Sequence, residues 1–165
     1  MNDGLAEMFE YNLWATATLI AGCRDAPVEL LHARVPGVSD SVGALFTHLV
    51  GGQQTFALRT KGRQHEGELN RRSSFPGWDE LARLSDDSGR ALLEVARTLE
   101  KAASVDLAWQ GKTHRFPVRF ILTHALEHAV EHRTEIKVAL GAQGVATPDL
   151  DGWSYAAAKG YGSEV

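Results

Sequence analysis

The 165-residue sequence predicts an all-α fold, a four-helix bundle with a short β-hairpin before the last long helix. Three observations carry this expectation. Four stretches of roughly 17 to 26 residues repeat apolar side chains at intervals of three and four, the spacing of a helix with one buried face. Between the third and fourth, residues 105–109 and 113–117 alternate in polarity around Gln110-Gly111-Lys112, which is a hairpin pattern. No fixed-period repeat or composition break divides the chain, so one domain over residues 1–165 is expected.

The first helix is expected over 3–22. Leu5, Phe9, Leu13, Thr16 and Ile20 form its inner face, Tyr11 and Trp14 flank it, and Gly22 and Pro27 end it. Pro36-Gly37 marks a turn, and His32 before it is expected to be exposed. Ser39-Asp40-Ser41 supplies N-cap candidates for a second helix at 41–58, with Val42, Leu45, Phe46, Leu49, Gln53 and Phe56 inward and His48 at the border. Gly51 and Gly52 follow one turn later. Each costs a helix interior up to ~1 kcal/mol relative to Ala, so a neighbouring helix or a ligand needs the room.

Residues 59–76 read as a polar loop, with His65 and Arg71-Arg72 solvated. The third helix is expected over 78–103, where Leu81, Leu84, Ser88, Leu92, Val95 and Leu99 make a bundle seam opposite a charged, solvated face. His114 in the hairpin is expected to face solvent. Pro117 suits the first turn of the last helix, which runs to about Leu140 with Gly141 as its stop. A turn, a short helical piece near 148–158 and a frayed end at 160–165 complete the chain.

Composition narrows the function classes. The hydrophobic content is 44% and the charged content 23%, as in globular proteins. A net charge of −4 offers no basic face for neutralising phosphates, so no nucleic-acid partner is expected. The single cysteine, Cys23, excludes an internal disulfide and fits a reducing, cytoplasmic setting; it reads as a small buried side chain rather than a nucleophile. No basic leader opens the sequence and no apolar run approaches the ~20 residues of a membrane helix, so neither secretion nor a membrane is expected.

The chemistry concentrates in His124-x3-His128-x3-His132-Arg133. Residues four apart on a helix lie nearly above one another, so the imidazoles form one stripe. With His128 as reference, His132 and His124 lie about 40° to either side, Glu135 about 20° away, and Arg133 about 140° away on a flank. Three buried imidazoles without partners would cost on the order of 1–3 kcal/mol each, and a metal ion removes that cost. Two histidines at this spacing suit zinc, nickel, copper or iron, but a third ligand must come from another element. His48 is the other histidine on a core-facing helix. It is the candidate to join two histidines of the stripe, and three protein ligands would leave an open position for a reactant. The zincin pattern is absent because Ala125 follows His124, and the di-iron E-x-x-H pattern is absent because Val130 and Thr134 stand three after Glu127 and Glu131.

The chain also resembles the DinB/YfiT-like family of four-helix-bundle proteins. The matching pieces are Tyr11-Asn-Leu-Trp14, Thr47-His48-Leu49-Val50, Trp78-Asp-Glu-Leu81, the histidine stripe ending in Arg133, and Pro148-Asp-Leu-Asp-Gly-Trp153-Ser-Tyr155. That resemblance implies a nickel or zinc ion held by His48, His128 and His132, and a homodimer. It further implies a metal-dependent activity of the thiol S-transferase or isomerase type, or hydrolysis, on a small molecule such as a low-molecular-weight thiol. Two positions depart from the family pattern. Thr134-Glu135 replaces Gly-Gln after Arg133, and Gln53 and Phe56 stand where a carboxylate and Trp are frequent. The reading that follows assigns Glu135 as the catalytic carboxylate, and His124 as a group behind the ligands or a replacement for His132. The alternative is a non-catalytic metal-binding or dimerisation bundle, induced under stress.

Overall fold

The computed structural model describes residues 3–64, 67–70 and 73–162. It is mostly helical, with α1 (Asp3–Cys23), α2 (Val42–Arg59), α3 (Trp78–Thr98), α4 (Val118–Gly141), a short α5 (Gly152–Lys159) and a 3-10 helix at Val28–His32. Strands β1 (Ser104–Trp109) and β2 (Lys112–Pro117) form an antiparallel pair between α3 and α4. His65, Arg71-Arg72 and residues 163–165 of the expected frayed end lie outside the described residues.

Helix α1 packs on α3 and, less extensively, on α4, while α2 packs on both α3 and α4. The buried apolar side chains fall into two groups. One contains Leu19, Phe46, Leu49, Leu81, Ile136 and Leu140. The other lies toward the hairpin and contains Phe9, Phe56, Leu92, Leu107, Ile121 and Leu122. Buried polar residues interrupt the apolar face of each long helix: Asn12 and Thr16 on α1, Thr47 and Gln53 on α2, Ser85 and Ser88 on α3, and His132 and Arg133 on α4. Buried polar groups need partners, and several of these find them across helices, although Gln53 Oε1 and Arg133 Nη2 are left without a hydrogen bond among the described residues. Gln53 Nε2 donates to Ser85 O at 2.7 Å and Ser88 Oγ at 2.8 Å.

Helix α3 ends five residues before the expected boundary, at Thr98 rather than 103. Leu99 is already extended, and Val118 N donates to Ala103 O at 3.0 Å, so the base of the hairpin takes over the chain that the helix would have used. The hairpin turn is Gln110-Gly111, with φ of 51° and 74° and Lys112 paired to Trp109. Two successive positive φ values mark a type I′ turn, whose twist matches the strands. Leu107 is the buried anchor of the hairpin, whereas His114 is half-buried between the rings of Trp109 and Phe116 rather than solvent-facing.

The C-terminal segment docks on α1. Tyr11 Oη donates to Leu150 O at 2.6 Å, Tyr155 Oη donates to Glu7 Oε1 at 2.6 Å, and the ring of Tyr155 sits 5.4 Å from that of Trp14. Asp151 caps α5 by accepting from Ser154 N at 2.7 Å. Among the described residues no helix is long and apolar enough to cross a membrane.

Candidate metal centre

Where α2 crosses α4, three imidazoles converge. The ring centroids of His48 and His128 are 4.9 Å apart, those of His48 and His132 4.6 Å, and those of His128 and His132 4.4 Å. One nitrogen from each residue lies within 4.8 Å of the others, and among the described residues this is the group able to hold a metal ion. The Nε2 atoms of His48 and His128 are 3.2 Å apart. A tetrahedral ion with ligand nitrogens about 2.0–2.1 Å away sets those nitrogens about 3.3 Å from one another. The pair is thus already spaced as two ligands of one ion.

The third ring is oriented from behind. His132 Nδ1 lies 2.7 Å from Glu135 Oε2, which leaves Nε2 for a ligand. Glu135 is itself fixed by the loop before α2: Ser39 N donates to Oε1 and Ser39 Oγ to Oε2, both at 3.0 Å. Partial burial pushes the Glu135 carboxyl up, but the hydrogen bonds from His132 and Ser39 outweigh it and hold the group below the ordinary glutamate range.

The two costly glycines now have occupants. A Cβ at Gly52 would stand 2.3 Å from Cε1 and 2.8 Å from Nε2 of His128, so the ring fits because residue 52 has no side chain. A Cβ at Gly51 would stand 2.6 Å from the carbonyl oxygen of Leu69. There the 67–70 segment lies on α2, with Leu69 N donating to Gln54 Oε1 at 3.1 Å. The room that the glycine pair provides is taken by a neighbouring helix at Gly52 and by the 67–70 segment at Gly51.

One side of the histidine group opens on a cavity of about 340 Å³ whose wall includes His48, Gly52, Thr55, Phe56, Asn70 and His128. His124, which shares the four-residue spacing, stands apart: its ring is 6.5 Å from that of His128, and it is exposed beside Phe56 at 4.7 Å. His32 is exposed as expected. Cys23 is buried at the end of α1, where burial pushes its thiol up to about 11, far from a nucleophile's range.

Arg133 lies on the flank of α4 that faces α1. It is 3% exposed and crosses to α1, where Nη1 donates to Asn12 Oδ1 at 2.6 Å and Thr16 Oγ1 at 2.9 Å. Burial lowers its pKa from the ordinary arginine value, opposed by Tyr11. Asn12 and Ser39 were not legible as members of this neighbourhood, because apolar periodicity passes over the first and a separation of 96 residues hides the second.

The model of the DinB family matches residues 1–163 of the chain. A crystal structure of a DinB-like protein from Bacillus cereus ATCC 10987 superposes with a TM-score of 0.67 at 19% identity, covering 89% of this chain and 95% of that one. At that identity the likeness speaks for the fold alone. None of the curated proteins matches this sequence.

Proposed function

This chain belongs to the DinB family, and on that premise we propose that it is a metal-dependent enzyme built on a four-helix bundle, with His48, His128 and His132 holding one divalent ion, zinc or nickel. The observation that carries the reading is the meeting of three imidazoles from two helices, two of which, His48 and His128, line an open cavity. Three protein ligands with a vacant side belong to a catalytic site, whereas a closed shell of four protein ligands would suit a non-catalytic metal-binding or dimerisation bundle. Bound there, the ion supplies Lewis acidity that lowers the pKa of a thiol or water brought to it, so the activity is of the thiol-transfer, isomerase or hydrolytic type.

The protein's own groups have separable tasks in this reading. His48 and His128 present Nε2 toward a common point, and Gly52 leaves space for the second ring. Glu135 acts through His132: both of its oxygens are engaged by Ser39 or the ring, so the carboxylate proposed for the reaction serves as a positioning residue. A homodimer belongs to the same proposal, and light scattering on the purified protein tests it.

Elemental analysis followed by a thiol-transfer and ester-hydrolysis screen tests the function. The expected result is about one zinc or nickel per chain and turnover that chelation abolishes and the metal restores. Stoichiometric metal without turnover of any thiol or ester would favour the non-catalytic bundle.

A further inference from the structure

The cavity at the histidines does not end there. Phe56, Arg59 and His124 form part of its wall and also part of the wall of a second cavity, of about 310 Å³, between α2, α4 and the hairpin. That volume is at the lower end for small-molecule sites, which run from about 300 to 1,000 Å³. Its remaining wall is mainly apolar, with Leu107, Trp109, Phe116, Phe120 and Ile121. Trp109 and Phe120 are 55% and 51% exposed, so large aromatic surface is held open at the rim instead of being spent on the core.

The two cavities are joined by rings. Phe56 lies 5.3 Å from His128 and 4.7 Å from His124, His124 lies 6.2 Å from Phe120, and Phe120 stacks on Phe116 at 5.8 Å. Among the described residues, charge at the junction has one sign. Arg59 lines both cavities, neither wall contains an aspartate or glutamate among the described residues, and Arg59 makes no ion pair with any of them. In a chain of net charge −4, a guanidinium without an acidic partner among the described residues, beside an apolar slot, is a recognition element for an anion.

We infer that the hairpin cavity binds the apolar body of a small monoanionic ligand whose carboxylate meets Arg59, which brings that ligand beside the three-histidine centre. The inference deepens the metal-enzyme reading and rests on it for its consequence: the ligand is the apolar co-substrate of the reaction at the metal. The hairpin is thereby a specificity element, since it contributes Leu107, Trp109 and Phe116 to the pocket.

The test is calorimetric titration of 4-phenylbutyrate, and of its uncharged analogue 4-phenylbutanol, into metal-free and zinc-loaded protein. The wild type is expected to bind the acid saturably in both forms. Arg59→Gln should weaken the acid by roughly tenfold and leave the alcohol within about twofold. Ala108→Trp, which fills the cavity from the hairpin, should weaken both by roughly tenfold or more. Phe120→Ala replaces it if circular dichroism shows that the hairpin rejects Trp, with the same direction expected. Binding of the acid by a protein that never takes up metal keeps this site and sinks the metal reading; tight zinc binding without saturable binding of the acid does the reverse. The inference is overturned if the wild type does not bind the acid, or if Arg59→Gln and the cavity variant both bind it as the wild type does.

Discussion

Gly52 and His128 occupy one space: a Cβ on the first would lie 2.3 Å from Cε1 of the second. The contact joins the backbone of α2 to a ring on α4 at the point where the histidines converge, so the smallest possible enlargement probes the site. Gly52→Ala should lower zinc affinity by about a hundredfold or more while leaving the helical spectrum unchanged, because the ring must swing away from His48. Gly51→Ala, which would press on the Leu69 carbonyl instead, should disturb the 67–70 segment and retain zinc. Equal zinc affinities for wild type and Gly52→Ala would show that the ring has room to spare.

Glu135 and Ser39 hold His132 from outside the metal position. Glu135→Ala should weaken zinc binding by about 10- to 100-fold, the usual effect of removing a group that orients a ligating histidine. Glu135→Gln should keep full metal content and alter turnover. Ser39→Ala removes one of three hydrogen bonds to the carboxylate and should have a smaller effect in the same direction. Competition titration against a zinc chromophore measures all three, and a Glu135→Ala protein with wild-type affinity would refute the positioning role.

The buried guanidinium of Arg133 makes a separate demand. Asn12 Oδ1 accepts from it at 2.6 Å across the α1–α4 contact. Asn12→Ala strips a charged donor of its best acceptor and should cost about 1.5–3 kcal/mol of stability in urea denaturation. A change under half a kilocalorie, on the order of a surface substitution, would mean that water replaces the amide without loss.

Much of this arrangement is legible in the residues, and what is not has a physical reason. Helices α1, α2 and α4 begin and end within a residue or two of the periodic pattern, because caps and apolar spacing act locally. The end of α3 is not legible because residues 99–103 carry no breaker; the hairpin, a tertiary partner, unwinds them. The stripe of three histidines predicts a shared face but not which two rings meet His48. That choice depends on the height at which α2 crosses α4, and Gly52 opposite His128 sets it. Phe120 and Val130 are apolar members of α4 that nonetheless face outward. The helical angle puts Arg133 on a flank of α4, but a wheel carries no information about its burial or about the side chain of Asn12 on α1.

Cys23 reports on the core without touching the site. Burial pushes its thiol up to about 11 from an ordinary value of 9.0. In the folded chain the proton is therefore retained where the unfolded chain loses it. The contribution to stability is complete below the unfolded value and disappears as the pH rises from about 9 through about 11. A disulfide reagent at pH 8 should leave native Cys23 unmodified and label it at once in denaturant. Cys23→Ala should flatten the alkaline loss of stability; rapid labelling of the native protein would contradict the buried placement.

The central claim is that imidazoles from two helices share one ion and leave one side open. Calorimetric titration of zinc into metal-free wild type, His48→Ala, His124→Ala, His128→Ala and His132→Ala tests it most directly. The account predicts about one zinc per chain for the wild type and His124→Ala, and loss of tight binding in the other three. Tight stoichiometric binding that survives His48→Ala, or retention in His132→Ala with loss in His124→Ala, would contradict it.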